Sequence, residues 1–183
     1  MKLITYNVNG IRAAFTKDFL GWLKTADPDI ICIQESKAGN DQIDIESLEK
    51  LGYHSYWHSA VRKGYSGVGI ASKTKPNHVE YGCGIESYDN EGRIIRADFE
   101  GFSAISVYVP SASNIERLEF KMQFCHDFLE YIKNLKKEIP NLIISGDFNI
   151  CHEAIDIHNP KGLQNVSGFL PMEREWMTNF INE

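Results

Sequence analysis

The sequence predicts an α/β fold, with a mostly β middle framed by helices, and three observations carry that expectation. Short apolar runs end abruptly in polar residues, stripes with helical spacing alternate with them, and Gly, Pro, Asn and Asp punctuate the intervals. The runs are Leu3-Ile4-Thr5-Tyr6, leading to Asn7-Val8-Asn9-Gly10; Asp29-Ile30-Ile31-Cys32-Ile33, leading to Gln34-Glu35; and Leu142-Ile143-Ile144-Ser145, leading to Gly146-Asp147-Phe148-Asn149. Continuous apolar runs of this length read as strands covered on both faces, and open α/β sheets place ligands at such strand ends. While the chain stays extended, Asp147 and Asn149 share a face, and Gly146 lets another group approach closely. Taken singly, Gly-Asp-Phe-Asn is a turn, Glu35 a loop acid and Asn7 a helix cap. Three such ends in one chain favour a site.

The elements follow in order. Ile11, Phe15, Phe19, Trp22 and Leu23 fall on one helical face, and a second helix from about Ile43 to Leu51 meets its stop signal at Gly52. Short β-type runs come next, around Tyr53 to Ser59, Gly67 to Ser72, His78 to Tyr81, Ile94 to Phe99 and Ala104 to Val109. Ser113-Asn114-Ile115-Glu116 reads as a capping box that opens a long helix, with Ile115, Leu118, Met122, Cys125, Leu129, Ile132 and Leu135 as its buried stripe. After the Asp147 run, an irregular connection from Cys151 to Pro171 leads to a helix from Met172 onward. Trp22 and Phe128 read as core. No linker, repeat or low-complexity tract interrupts the chain, so residues 1–183 read as one domain.

Composition narrows the function classes. With 183 residues, 43% of them hydrophobic, the chain can bury a sizeable core, and no apolar run is long enough to span a bilayer. Met1-Lys2-Leu3-Ile4-Thr5-Tyr6 enters a strand at once without a secretory h-region, so a cytoplasmic location is expected. The four cysteines show no Cys-x-x-Cys spacing and the six histidines no His-Glu-x-x-His, which speaks against zinc. A net charge of -6 argues against coating nucleic acid through bulk electrostatics. An enzyme is less constrained, because a local basic strip and a divalent cation suffice to hold a polyanion. Candidates for the strip are Arg12, Lys37, Arg62, Lys63, Arg93 and Arg96.

Read together with Gly64-Tyr65-Ser66-Gly67-Val68-Gly69, Glu91-Gly92-Arg93-Ile94-Ile95, Tyr108-Val109-Pro110 and Glu173-Arg174-Glu175-Trp176, these strand ends resemble the exonuclease III family of abasic-site endonucleases, within the endonuclease/exonuclease/phosphatase superfamily. The resemblance runs from residue 1 to the end of the chain. It implies a DNase I-like, four-layer α/β/β/α sandwich of two mixed sheets flanked by helices. Family members close with an Arg-Ile-Asp type motif and a Ser-Asp-His that this sequence lacks, so the domain is expected to be incomplete at its C-terminus, with part of the second sheet missing.

The function implied is a Mg2+-dependent DNA repair phosphodiesterase, with Mn2+ able to substitute. It would cut the backbone 5′ to abasic sites and act as a 3′-5′ exodeoxyribonuclease and 3′-phosphodiesterase on duplex DNA, as a monomer, nucleoid-associated if bacterial. By the same resemblance Glu35 and Asn7 hold the metal, Asp147 accepts the proton of the attacking water, Asn149 orients that water or stabilises the transition state, and the Tyr108 hydroxyl reaches a phosphate oxygen. Arg12, Lys37, Tyr65, Arg93, Asn9 and Ser111 contact DNA, with Ser111 standing where family members often carry Asn or Gln. Two alternatives stay open. One is a non-catalytic fragment with residual metal or DNA binding. The other is a superfamily phosphoesterase acting on inositol phosphates or sphingolipids, against which Glu91-Gly92-Arg93 and Glu173-Arg174-Glu175-Trp176 tilt the choice to DNA.

Overall fold

The computed structural model describes residues 1–183, which fall into two compact units, Met1–Tyr108 with Ile139–Asp147 and Val109–Glu138 with Phe148–Glu183. Every strand belongs to the first unit. Strands β1 (Leu3–Asn7), β2 (Ile30–Gln34), β3 (His54–His58) and β4 (Val68–Ser72) form one sheet in the order β1-β2-β4-β3. Strands β5 (His78–Tyr81), β6 (Ile94–Phe99), β7 (Phe102–Tyr108) and β8 (Leu142–Asp147) form the other in the order β5-β6-β7-β8. The β1/β2 and β7/β8 pairs are parallel and the rest antiparallel, so both sheets are mixed. Two mixed sheets flanked by helices are the α/β architecture the sequence implied.

β2 shows why an apolar residue is needed at nearly every position. Ile31 and Ile33 pack with Ile11, Phe19, Leu23 and Leu48, which come from helices α1 (Ile11–Thr16), α2 (Phe19–Ala26) and α3 (Ile45–Lys50). Ile30 and Cys32 point the other way, into a core shared with Val68, Ile70, Ile95 and Ala97 from the two sheets. Period-two alternation therefore divides one apolar run between a helix layer and a second sheet. Burial pushes the Cys32 thiol up to about 11, against a hydrogen bond with Ser145 that opposes it, which leaves an inert thiol.

Coverage on both faces holds for β2 but not for the other two runs. Thr5 and Tyr6 of β1 are exposed and all six residues of β8 are only half-buried, because each strand lies outermost in its sheet. Apolar content is written in the sequence, whereas strand order is not. The single helical face expected over Ile11 to Leu23 is also broken. Asp18 takes a left-handed backbone, φ 62°, and separates α1 from α2. Trp22 is consequently 38% exposed and packs tilted against Tyr6, ring centroids 5.1 Å apart, instead of filling the core. The short helix α4 (Glu86–Asp89) completes this unit.

The second unit carries α5 (Ile115–Glu138), α6 (Pro160–Leu163) and α7 (Pro171–Asn182). Asn114, not Ser113, caps α5, its Oδ1 accepting from the Arg117 amide at 2.8 Å. The buried stripe differs in phase from the expected one. It reads Lys121, Phe124, Cys125, Phe128, Ile132 and Leu135, while Leu118, Met122 and Leu129 are half-buried and Ile115 is exposed. Hydropathy alone cannot anticipate a lysine heading a buried stripe. Phe128 is core as expected, packed on Phe180 at 5.7 Å, and Trp176 Nε1 donates to the Cys125 carbonyl at 2.8 Å, locking α7 to α5. No helix of the chain is long and apolar enough to cross a membrane.

Candidate active site

Parallel pairing sets β1 beside β2 with Asn7 opposite Gln34, and β7 beside β8 with Tyr108 opposite Asp147. The carboxyl ends of strands from both sheets meet at one amide. Asn7 Nδ2 donates to Glu35 Oε1 at 2.8 Å and to Asp147 Oδ2 at 2.7 Å, while its Oδ1 accepts from the Asn9 amide at 3.0 Å. Asn7 is therefore no helix cap. The N-cap position of α1 belongs to Gly10. Below the site, Gln34 Nε2 donates to Ser106 Oγ at 3.0 Å, a buried polar contact that ties the sheets together. The close approach expected at Gly146 is real. A Cβ there would lie 1.9 Å from the Val107 carbonyl oxygen, so β8 can pair with β7 at that point only through glycine.

Glu35 also meets a cation. Lys37 Nζ lies 2.6 Å from its Oε2 and donates to Asn9 Oδ1 at 2.5 Å. Asn9, Glu35 and Lys37 all take left-handed backbone, φ 46°, 55° and 49°, a region that non-glycine residues occupy sparingly and that recurs at functional sites. Burial alone pushes the Glu35 carboxyl up. Hydrogen bonds from Asn7, Lys37 and Tyr108, with the Lys37 charge, outweigh it and hold the group below its ordinary value. Burial, the hydrogen bond to Glu35 and the charges of Glu35 and Asp147 push the Tyr108 hydroxyl far above its ordinary value, with Arg93 opposing. The protonated form of Tyr108 is thereby favoured, a hydrogen-bond donor to Glu35 rather than a base.

Arg93 is not where a DNA contact needs it. Its side chain is 2% exposed, Nε donates to Glu91 Oε2 at 2.8 Å, and the two terminal nitrogens reach the Tyr108 carbonyl and the Tyr65 hydroxyl, each at 3.0 Å. The guanidinium lies over the rings of Tyr65 and Tyr108, at 5.7 and 4.8 Å from their centroids. It braces two tyrosines from inside. The signal was available in Glu91, an acid two residues earlier on the same strand approach. Arg96 is likewise engaged, with Asp98 at 2.9 Å. Tyr65 is half-buried, with the exposed Arg62 over its ring at 5.2 Å, and Arg12, Lys63 and Asn9 lie at the surface.

Asn149 and Ser111 belong to the second unit. Ser111 is exposed, directly after Pro110. β8 ends at Asp147 and Asn149 turns left-handed at φ 51°, so the shared-face expectation for Asp147 and Asn149, which needs an extended chain, does not hold. The Asn149 Nδ2 donates to the Val109 carbonyl at 2.8 Å, and its own carbonyl accepts from Lys121 Nζ at 2.7 Å.

No group of three or more His, Cys, Asp or Glu side chains gathers anywhere to cage a metal. Two carboxylates clamped by one amide, a protonated tyrosine and nearby cations suit a phosphoester hydrolase, a class that manages developing negative charge on oxygen. The family model described as Endonuclease/Exonuclease/phosphatase matches residues 4–182. An exodeoxyribonuclease of Bacillus subtilis is 45% identical over 99% of this chain and 71% of its own length. The structure of an AP endonuclease from Archaeoglobus fulgidus superposes with TM-score 0.89 and 32% identity, over 100% of this chain and 70% of that one. A 3′ phosphatase from Neisseria bound to product DNA hairpin superposes with TM-score 0.91 and 27% identity, again over 100% of this chain and 70% of that one. The chain belongs to the endonuclease/exonuclease/phosphatase family, in its exonuclease III and AP endonuclease branch, and is a nuclease-type hydrolase; that family is metal-dependent.

Proposed function

We propose that this chain carries the site of a Mg2+-dependent DNA repair phosphodiesterase that cuts the backbone 5′ to abasic sites and also acts at 3′ ends of duplex DNA, as a cytoplasmic monomer. The observation that carries the reading is the Asn7 amide joining Glu35 and Asp147 at 2.8 and 2.7 Å. The names of the relatives, exodeoxyribonuclease, AP endonuclease and a 3′ phosphatase bound to DNA, support the substrate class.

The donor set fits a hard cation. Its carboxylate oxygens stand without sulfur or imidazole beside them, Glu35 Oε2 already accommodates a positive charge, Lys37 Nζ at 2.6 Å, and Asn7, whose Oδ1 accepts from the Asn9 amide here, adds an amide oxygen. Glu35 and Asn7 are the residues that would hold Mg2+, which when bound neutralises charge on the phosphate and favours departure of the alkoxide. Asp147 serves as the proton acceptor for water, kept in place by the Asn7 amide. Tyr108 presents an O–H that a non-bridging phosphate oxygen can share with Glu35. For Asn149 the sequence motif, two residues after Asp147, supports a role in orienting that water. Because the net charge of -6 repels a polyanion at long range, affinity must come from exposed cations such as Arg12, Arg62 and Lys63.

The test is nicking of a duplex oligonucleotide with a single abasic site by the 183-residue chain, with Mg2+ and with a chelator, beside undamaged duplex. Metal-dependent cutting confined to the lesion is expected. Asp147→Asn is expected to slow it by about 10²- to 10⁴-fold, the usual worth of a positioned general base. No lesion-specific cutting by the unaltered chain would overturn the reading for this chain and leave a non-catalytic binding module.

A further inference from the structure

We propose that the buried ion pair of Lys121 and Glu173 is a positioning device for Asn149. This rests on the role of Asn149 given above and extends the site to two residues that touch no substrate. Lys121 and Glu173 lie 2.6 Å apart with their side chains 1% and 0% exposed. The ammonium also donates to the Asn149 carbonyl at 2.7 Å. The carboxylate is filled from several sides. Oε1 accepts from Ser167 Oγ at 3.0 Å, and Oε2 from the amides of Gly168 and Leu170 at 2.6 and 2.9 Å. The Gly168 carbonyl in turn accepts from the Cys151 amide at 2.7 Å. Glu173 thus collects the 167–170 turn, which grips Cys151, while Lys121 grips Asn149 itself.

Stability alone gives no reason for these charges. Removing two ions from water is costly, and well-packed apolar replacements of a buried pair are often as stable or more so. An ammonium offers what an apolar side chain cannot, several donors aimed at once, here at a carboxylate and at one backbone carbonyl. That carbonyl belongs to a residue at φ 51°, a conformation that persists when its surroundings dictate it. With Nδ2 committed to Val109, the orientation of the Asn149 amide follows the position of its own backbone. Glu173-Arg174-Glu175-Trp176 acquires a physical purpose on this account: Trp176 anchors α7 to α5 and Glu173 holds Lys121 in place.

The experiment follows the Asn149 side-chain amide by NMR in the full chain. In Lys121→Met/Glu173→Gln, which keeps an acceptor for Gly168 and Leu170 without an unpaired charge, the Asn149 Nδ2 protons are expected to exchange with solvent about tenfold to a hundredfold faster, because the charge-assisted bond from Lys121 to the Asn149 carbonyl no longer holds the backbone that aims Nδ2 at Val109, while the backbone signals of α5 and α7 persist. In the nicking assay the same variant lowers kcat with KM unchanged, and adding Asn149→Ala costs nothing further. An Asn149 signal unchanged in the folded double variant overturns the proposal, since a merely structural pair would leave it intact. If the variant does not fold, the unaltered chain decides: Lys121 ammonium protons slow to exchange, with nuclear Overhauser contacts to Asn149, support it, and a freely exchanging ammonium sinks it. If Asn149→Ala alone cuts at the full rate, the role of Asn149 in the reaction fails, and the NMR result still judges the positioning.

Discussion

Two glutamate–lysine pairs, both 2.6 Å long, serve different ends in this molecule. Glu35 and Lys37 remain 16% and 34% exposed, whereas Glu173 and Lys121 are sealed from solvent. In the first pair solvent reaches both partners and screens the charges, so the contact is worth less than a sealed one. Such a carboxylate can trade its ammonium for another cation without a large change in energy. In the second pair neither ion has anywhere to go, and loss of one strands the other. Proximity of opposite charges says little until burial is known. The open pair is suited to chemistry and the closed pair to geometry.

The largest expected effect comes from breaking the closed pair on one side. Lys121→Met should lower unfolding stability by about 3–5 kcal/mol, read from urea denaturation, and adding Glu173→Gln should recover part of it. Equal stability of Lys121→Met and the unaltered chain would erase the distinction between the pairs. A smaller loss is expected from Gly146→Ala, where the added Cβ meets the Val107 carbonyl oxygen at 1.9 Å and must displace a strand. About 1–3 kcal/mol is the usual cost of such overpacking. Lesion cutting should fall with it, because β8 delivers Asp147 to the Asn7 amide.

Lys37→Met should cost the least, under about 1 kcal/mol, given how much solvent reaches the pair. Its sharper signature is in pH. Glu35 has a folded pKa below its unfolded value, so its contribution to stability is present above the unfolded pKa and fades as pH falls through the folded one. Without Lys37 that acid-side loss should shrink, as measured by thermal melts from neutral pH down to about pH 3, below the ordinary glutamate pKa of about 4.3. A Lys37→Met penalty as large as that of Lys121→Met would break the comparison from the other side.

Much of the first unit was legible in the sequence because its signals are local. Apolar runs ending in Asn7, Glu35 and Asp147 mark strand ends; parallel pairing sets Asn7 beside Gln34 in one sheet, and the packing of the two sheets brings Asp147 to the Asn7 amide. What escaped depends on contacts between residues far apart in sequence. Arg93 looked like a surface cation because its partners, Tyr65 and the Tyr108 carbonyl, are distant in the chain, and only Glu91 hinted at its burial. Lys121 fell outside the hydrophobic stripe for the same reason, its partner Glu173 lying 52 residues on. The edge positions of β1 and β8 were hidden because apolar content fixes what a strand wants to cover and not which strand lies beside it.

The left-handed backbone at Asn9, Glu35 and Lys37 also narrows the routes by which this site can change. At each position a residue must satisfy chemistry and steric handedness at once. Glycine, asparagine and aspartate relieve the backbone but alter charge or reach, while valine, isoleucine and threonine are penalised before their chemistry matters. Single substitutions between alternative cation partners at Lys37, or alternative acids at Glu35, therefore start from very few tolerated neighbours. Directed evolution of this loop should reward paired changes, one that eases the turn and one that restores the lost function, over any single step.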